Sequence, residues 1–180
     1  MKTNFLRSRL ALAVGLVALL LCGAVAYAAI PTILAAGTTP HSELVGGPAR
    51  LTARHLVTPA GEVGTWHYHP GSVFNVVKSG AVVIEDGCGS APTYTAGQAF
   101  ENIGGRVHRA VNPFSEECVE YNMFVNPQGT PLTVQVPGNQ RLCGPARSVE
   151  ECKGGGWANF THPRAFGSQG DCMQFVLKGE

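Results

Sequence analysis

The chain has 180 residues and a mass of 18.9 kDa, room for one ordinary domain with short additions and too little for separate cofactor and substrate halves. Only 14% of its residues are charged, and 13 basic against 12 acidic side chains leave a formal charge of +1, which argues against nucleic-acid binding by a basic surface. The 23 glycines and 12 prolines follow no repeat, so they read as punctuation between short strands.

The chain opens with Lys2, Arg7 and Arg9, an apolar run over 10–21, and the small residues Ala24, Ala26, Ala28 and Ala29 before Pro31. That order predicts a secretory signal over 1–28, cleaved after Ala28, and a secreted or periplasmic mature protein with no membrane attachment. Two alternatives are an uncleaved N-terminal anchor, because residues 10–30 are nearly continuous apolar sequence, and acylation at Cys22, where Leu21 is a poor preceding residue.

From Gly37 onward the longest stretch without Gly or Pro is 114–126, where Val119, Tyr121, Met123 and Val125 alternate with less apolar neighbours at the period of a strand. Further strands are expected over 49–57, 64–68, 73–78, 81–85, 92–96, 98–101, 107–111 and 130–136. The turns Lys78-Ser79-Gly80 and Glu85-Asp86-Gly87 punctuate this series, and the first makes 73–78 and 81–85 a hairpin. An all-β sandwich or barrel over 37–137 follows. Past Pro137 the alternation fades, leaving a tail over 138–180 too short for a core of its own without a covalent staple.

An exported chain keeps disulfides. Without Cys22, five cysteines remain (Cys88, Cys118, Cys143, Cys152 and Cys172), so one thiol stays unpaired or pairs between molecules. The expected bridges are Cys152 with Cys172, closing about 20 residues for roughly 3 kcal/mol on the loop-entropy argument, and Cys88 with Cys118, both at strand edges. No CxxC pair supports structural zinc or thioredoxin-like chemistry.

Of six histidines, His67 and His69 are the informative pair: two apart in a strand, they point to one face with stems about 6 to 7 Å apart, a workable bite for one metal ion. His108 opens a separate predicted strand after Gly104-Gly105, with Asn112 four residues on. Gly61, His67, His69 and Gly80 in the first segment, and Gly97, Gly104-Gly105, His108 and Asn112 in the second, resemble the two motifs of the cupin superfamily over roughly 50–136.

The resemblance implies a double-stranded β-helix, the cupin or jelly-roll barrel, with a metal in its mouth on His67, His69 and His108. It also implies a small-molecule ligand or substrate and a homodimer formed through edge strands. Two positions depart from the pattern. Val73 stands where the first motif has its metal-binding Glu, and the second motif's Pro is replaced near Ile103. Three neutral imidazoles suit Fe, Cu, Ni or Zn, and the missing carboxylate weakens Mn most.

Asn75 is an alternative donor on the face of Val73, and Glu101 is a candidate carboxylate partner for an imidazole. His55 is one candidate to line the barrel, while Trp66, Tyr68 and Arg109 are expected to face away from the histidines and His41 and His162 to lie in linker and tail. No GxSxG setting or phosphate loop competes. Two functions remain open: a metal-dependent dioxygenase-like enzyme, and a non-catalytic small-molecule-binding module. The tail segments 152–157 and 169–172 resemble a cysteine-framed motif found at the ends of exported bacterial proteins; Arg164 and Phe166 could present a surface there, and Asn159-Phe160-Thr161 fits a glycosylation sequon.

Overall fold

The structure, a computed structural model, describes residues 28–179; residues 1–27, which carry nearly all of the expected export signal and of its two alternatives, lie outside the described residues. Ten strands run in chain order: β1 (Ile30–Ser42), β2 (Gly47–Thr58), β3 (His67–Tyr68), β4 (Ser72–Ser79), β5 (Ala81–Asp86), β6 (Thr93–Thr95), β7 (Ala99–Asn102), β8 (His108–Val111), β9 (Cys118–Pro127) and β10 (Val134–Gln135). They form two antiparallel five-stranded sheets, β1-β2-β9-β4-β7 and β10-β3-β8-β5-β6, the double-sheet barrel expected. β1 was not expected, since its sequence carries two prolines and no clean alternation; it holds the edge of the first sheet and is exposed along most of its length.

The two sheets are covered unequally. The outer face of the second carries Trp66, Tyr68, Val107 and Val136, and the chain beyond β10 folds back over it through Leu142, with the His162 ring tilted against Tyr68 at 5.2 Å between centroids. The outer face of the first sheet stays open, and Leu51, Phe74, Val76, Tyr121 and Met123 on it are all exposed. The alternation that marks β9 therefore has its middle apolar members, Tyr121 and Met123, facing outward. Cys118, Glu120, Asn122, Phe124 and Asn126 are the buried inward set, and of the outward set only the flanking Val119 and Val125 are buried. His55 also lies on the outer face, against Tyr121 with ring centroids 5.4 Å apart, because it shares the parity of Leu51 and Ala53 rather than that of buried Thr52 and Thr58. It does not line the barrel.

One part of the interior is apolar, where Val77, Val82 and Cys118 pack with Ile84, Tyr94, Phe100 and Ala110. Cys118 is buried there as a free thiol, so it cannot reach Cys88, and the expected Cys88–Cys118 bridge does not form. Cys88 instead bonds to Cys143, across the contact between the turn after β5 and the returning tail. Gly87 permits that approach, since a Cβ at this position would run into the Leu142 carbonyl. Backbone bonds continue the seam, Gly87 N–H to Val107 O at 3.0 Å and Val107 N–H to Gly144 O at 3.0 Å.

The expected Cys152–Cys172 bridge is present. It joins two helices, α1 (Val149–Cys152) and α2 (Gln169–Lys178), around a small core of Cys143, Ala146, Phe160 and Phe166. Ser148 with Glu151 forms a capping box for α1, and Ser168 caps α2 through the Asp171 amide. Arg164 pairs with Asp171 through both guanidinium nitrogens and lies over Phe166, so its contacts are those of a folded cap. Among the described residues no helix is long and apolar enough to cross a membrane.

Candidate metal centre

His67 and His108 are directly paired across β3 and β8, and His69 follows two residues along the chain from His67. The three rings form a near-equilateral triangle, with centroids 4.6 Å apart for His67–His108 and 5.0 Å for each of the other pairs. One possible ligand nitrogen from each ring lies within 4.8 Å of those of the other two. Glycines position the frame. A Cβ at Gly104 would sit against the backbone of Gly71, and the adjoining Gly105 N–H donates to the His69 carbonyl at 2.7 Å, tying the β7–β8 turn to the end of the HxH segment.

Each imidazole is held by a backbone carbonyl: Nδ1 of His67 by Thr65 O at 2.8 Å, of His69 by Leu132 O at 2.7 Å, and of His108 by Arg106 O at 2.9 Å. A carbonyl oxygen only accepts, so each Nδ1 carries the proton and each Nε2 keeps its lone pair. The Nε2 of His108 is buried with no hydrogen-bond partner among the described residues, a cost that an ion at the centre of the triangle would remove.

Burial keeps the rings neutral. It pushes His69 down to about 2, helped by the charges that His108 and His67 would carry, and His108 down to about 3, helped by His67. His67 is lowered too, mainly by burial, against the opposing pull of its Thr65 hydrogen bond. Three neutral nitrogen donors with fixed tautomers fit a borderline transition-metal ion.

No carboxylate or thiol joins the three histidines among the described residues. Val73 is buried and apolar, leaving no side-chain donor where the cupin motif has Glu. Asn75 is spent on the wall: its Nδ2 donates to Val73 O and Phe100 O, and its Oδ1 accepts from Asn122 at 2.8 Å. Glu101 is exposed on the outer side of β7 and holds no imidazole, because backbone carbonyls fill that role. Trp66 and Arg109 face away as expected, the guanidinium lying 4.6 Å over the indole and pairing with Glu85. Asn112, completely buried, bridges Thr58 O and Glu116 O and so shapes a loop.

The triad opens into a cavity of about 420 Å³, within the ordinary range for small-molecule sites. Leu56, Ile84, Phe100 and Ala110 supply apolar wall, while Arg54, Glu120 and Asn122 supply polar groups that the sequence reading passed over. Their signal was the alternation itself: 52, 54, 56 and 58 on β2, and 118, 120, 122, 124 and 126 on β9, are parity sets that mix polar with apolar residues, as a strand facing a wet lumen does.

Residues 54–124 match the family model for the cupin domain. Nitrosourea synthase of Streptomyces achromogenes subsp. streptozoticus is 40% identical over 73 residues, which is 41% of this chain and only 15% of that protein. Among solved structures, a conserved protein with a double-stranded β-helix domain from Klebsiella pneumoniae subsp. pneumoniae MGH 78578 superposes with a TM-score of 0.46 at 21% identity, covering 61% of this chain and 84% of the other. A cupin-domain protein from Bordetella pertussis Tohama I does so with a TM-score of 0.43 at 23% identity, over 55% of this chain and 94% of the other.

Proposed function

We propose that this chain, whose residues 54–124 match the cupin domain, holds one divalent transition-metal ion on His67, His69 and His108 and acts as a dioxygenase-like oxidoreductase on a small molecule in the adjoining cavity. The observation that carries this reading is the orphaned, buried Nε2 of His108, in a triangle whose other two rings hold the same tautomer. A redox-active ion such as iron or copper would supply electron exchange with dioxygen. The chain's own part is to keep three Nε2 lone pairs aimed inward, to leave coordination positions open by placing Val73 where a carboxylate would sit, and to exclude water with Leu56, Ile84 and Phe100. The 73-residue likeness to a named synthase supports catalysis over a purely structural barrel.

The test is dioxygen uptake by the mature protein loaded separately with iron, copper, nickel and zinc, in the presence of cavity-sized substrates. Uptake that follows the redox-active ions supports the enzyme. Ligand binding that is indifferent to metal removal, with no uptake, supports the alternative of a non-catalytic binding module. The two disulfides suit an oxidising compartment and hence export. The one-sided pairing of β1 leaves a strand edge for a second copy, so the mature protein should sediment at twice its monomer mass.

A further inference from the structure

Arg54 stands in the cavity wall with Glu62 and Glu120, and neither carboxylate lies within ion-pair distance of it. Arg54 faces Asn122 across the β2–β9 ladder, and Leu56 faces Glu120, so Arg54 and Glu120 are diagonal neighbours on the luminal face. The Arg54 Nε donates to Asn122 Oδ1 at 2.9 Å, Asn122 is anchored in turn on Asn75, and the guanidinium carbon lies 4.6 Å over the Phe124 ring. Phe124 itself meets His69 edge-on at 5.1 Å. The guanidinium is therefore fixed in orientation beside the histidine triangle.

Only its Nε is used. Among the described residues its two terminal nitrogens make no hydrogen bond, and no carboxylate lies within ion-pair distance of Arg54. Arg54 is the one cationic side chain among the described residues lining the cavity. Burial lowers it to about 10, which still leaves it charged at neutral pH, whereas burial pushes Glu120 up to about 7 and so keeps much of that carboxyl protonated. The two free terminal nitrogens open onto the cavity, and their planar fork matches a carboxylate in two-point contact.

We propose that the cavity takes a small organic acid whose carboxylate is gripped by the free fork of Arg54, which turns the remainder of the molecule toward the three histidines. The inference deepens the proposed function by naming the substrate class, and it rests on that reading only in requiring this cavity to be the ligand site. Leu56, Ile84 and Phe100 favour an apolar body behind the carboxylate. Arg54 is on this account a binding and positioning residue.

The test uses benzoate and its neutral isostere benzamide, titrated calorimetrically into the metal-free and the metal-loaded mature protein, with Arg54→Gln and Arg54→Lys beside the wild type. Benzoate should bind saturably and at least about tenfold more tightly than benzamide, the step expected for a charge-assisted pair. Arg54→Gln should remove that preference with metal content unchanged. Arg54→Lys should keep a preference for the anion at reduced affinity, because the charge remains and the fork is lost. Equal binding of benzoate and benzamide by the wild type, or no benzoate binding, overturns the proposal even if neither variant folds. A preference for benzoate in a protein that never takes up metal would uphold this inference while refuting the metal centre, and metal uptake without the preference would do the reverse.

Discussion

Replacing Glu120 by Gln tests whether ionising this carboxyl in the cavity wall costs the fold stability. The Glu120 carboxyl is buried, and burial raises it from 4.5 to about 7 against the lowering effect of Arg54. A folded-state value above the unfolded one means that the folded protein binds the proton more tightly. The stability this contributes is present in full below pH 4.5 and is lost as pH rises through about 7. At about 1.4 kcal/mol per pH unit over that interval, ionised Glu120 costs the fold about 3 kcal/mol at pH 8. Gln cannot ionise, so Glu120→Gln should stabilise the metal-free protein by about that amount at pH 8, roughly 8 °C in melting temperature for a chain of this size, and should be near neutral at pH 4. Urea and thermal unfolding of both proteins at the two pH values measure it, and other titrating groups cancel between them. A stability difference that is the same at pH 4 and pH 8 would refute the buried-carboxyl argument.

Other consequences follow from the tail and its seam with the barrel. Peptide mapping under non-reducing conditions should find Cys88 joined to Cys143 and Cys152 to Cys172; recovery of a Cys88–Cys118 peptide would contradict the topology. Cys118 should resist alkylation until the protein unfolds, since burial, with Glu120 adding to it, pushes its thiol up to about 12. Gly87→Ala should lower stability by about 1 to 3 kcal/mol, read by urea unfolding, because the new Cβ meets the Leu142 carbonyl; a neutral effect would mean that the tail is not seated there.

The histidine triangle was legible because its geometry is local twice over. His-x-His in a strand puts two rings on one face, and the glycines before His108 mark the start of a strand that can deliver the third. The luminal face of β2 and β9 was not legible. Alternation reveals a strand but not which of its faces is covered, and here the apolar Tyr121 and Met123 face outward while Glu120 and Asn122 are buried. The same ambiguity left the side of His55 open, and it lies outward against Tyr121. The cysteine pairing turned on tertiary approach: Cys88 and Cys143 meet only because the tail returns over the second sheet, whereas Cys152 and Cys172 are joined within one compact unit. The two helices of that unit had visible starts, Ser148-x-x-Glu151 and Ser168-x-x-Asp171, but their short lengths and surrounding glycines hid any helical period.

Elemental mass spectrometry of the mature protein, purified without a metal-binding tag, reads whether His67, His69 and His108 act together as one metal site. About one transition-metal ion per chain is predicted, as a single three-imidazole set allows. Each of His67→Ala, His69→Ala and His108→Ala should lose it while keeping the β-rich circular dichroism spectrum. Unchanged metal content in the three variants, or no uptake by the wild type after reconstitution with iron, copper, nickel and zinc, would contradict the account.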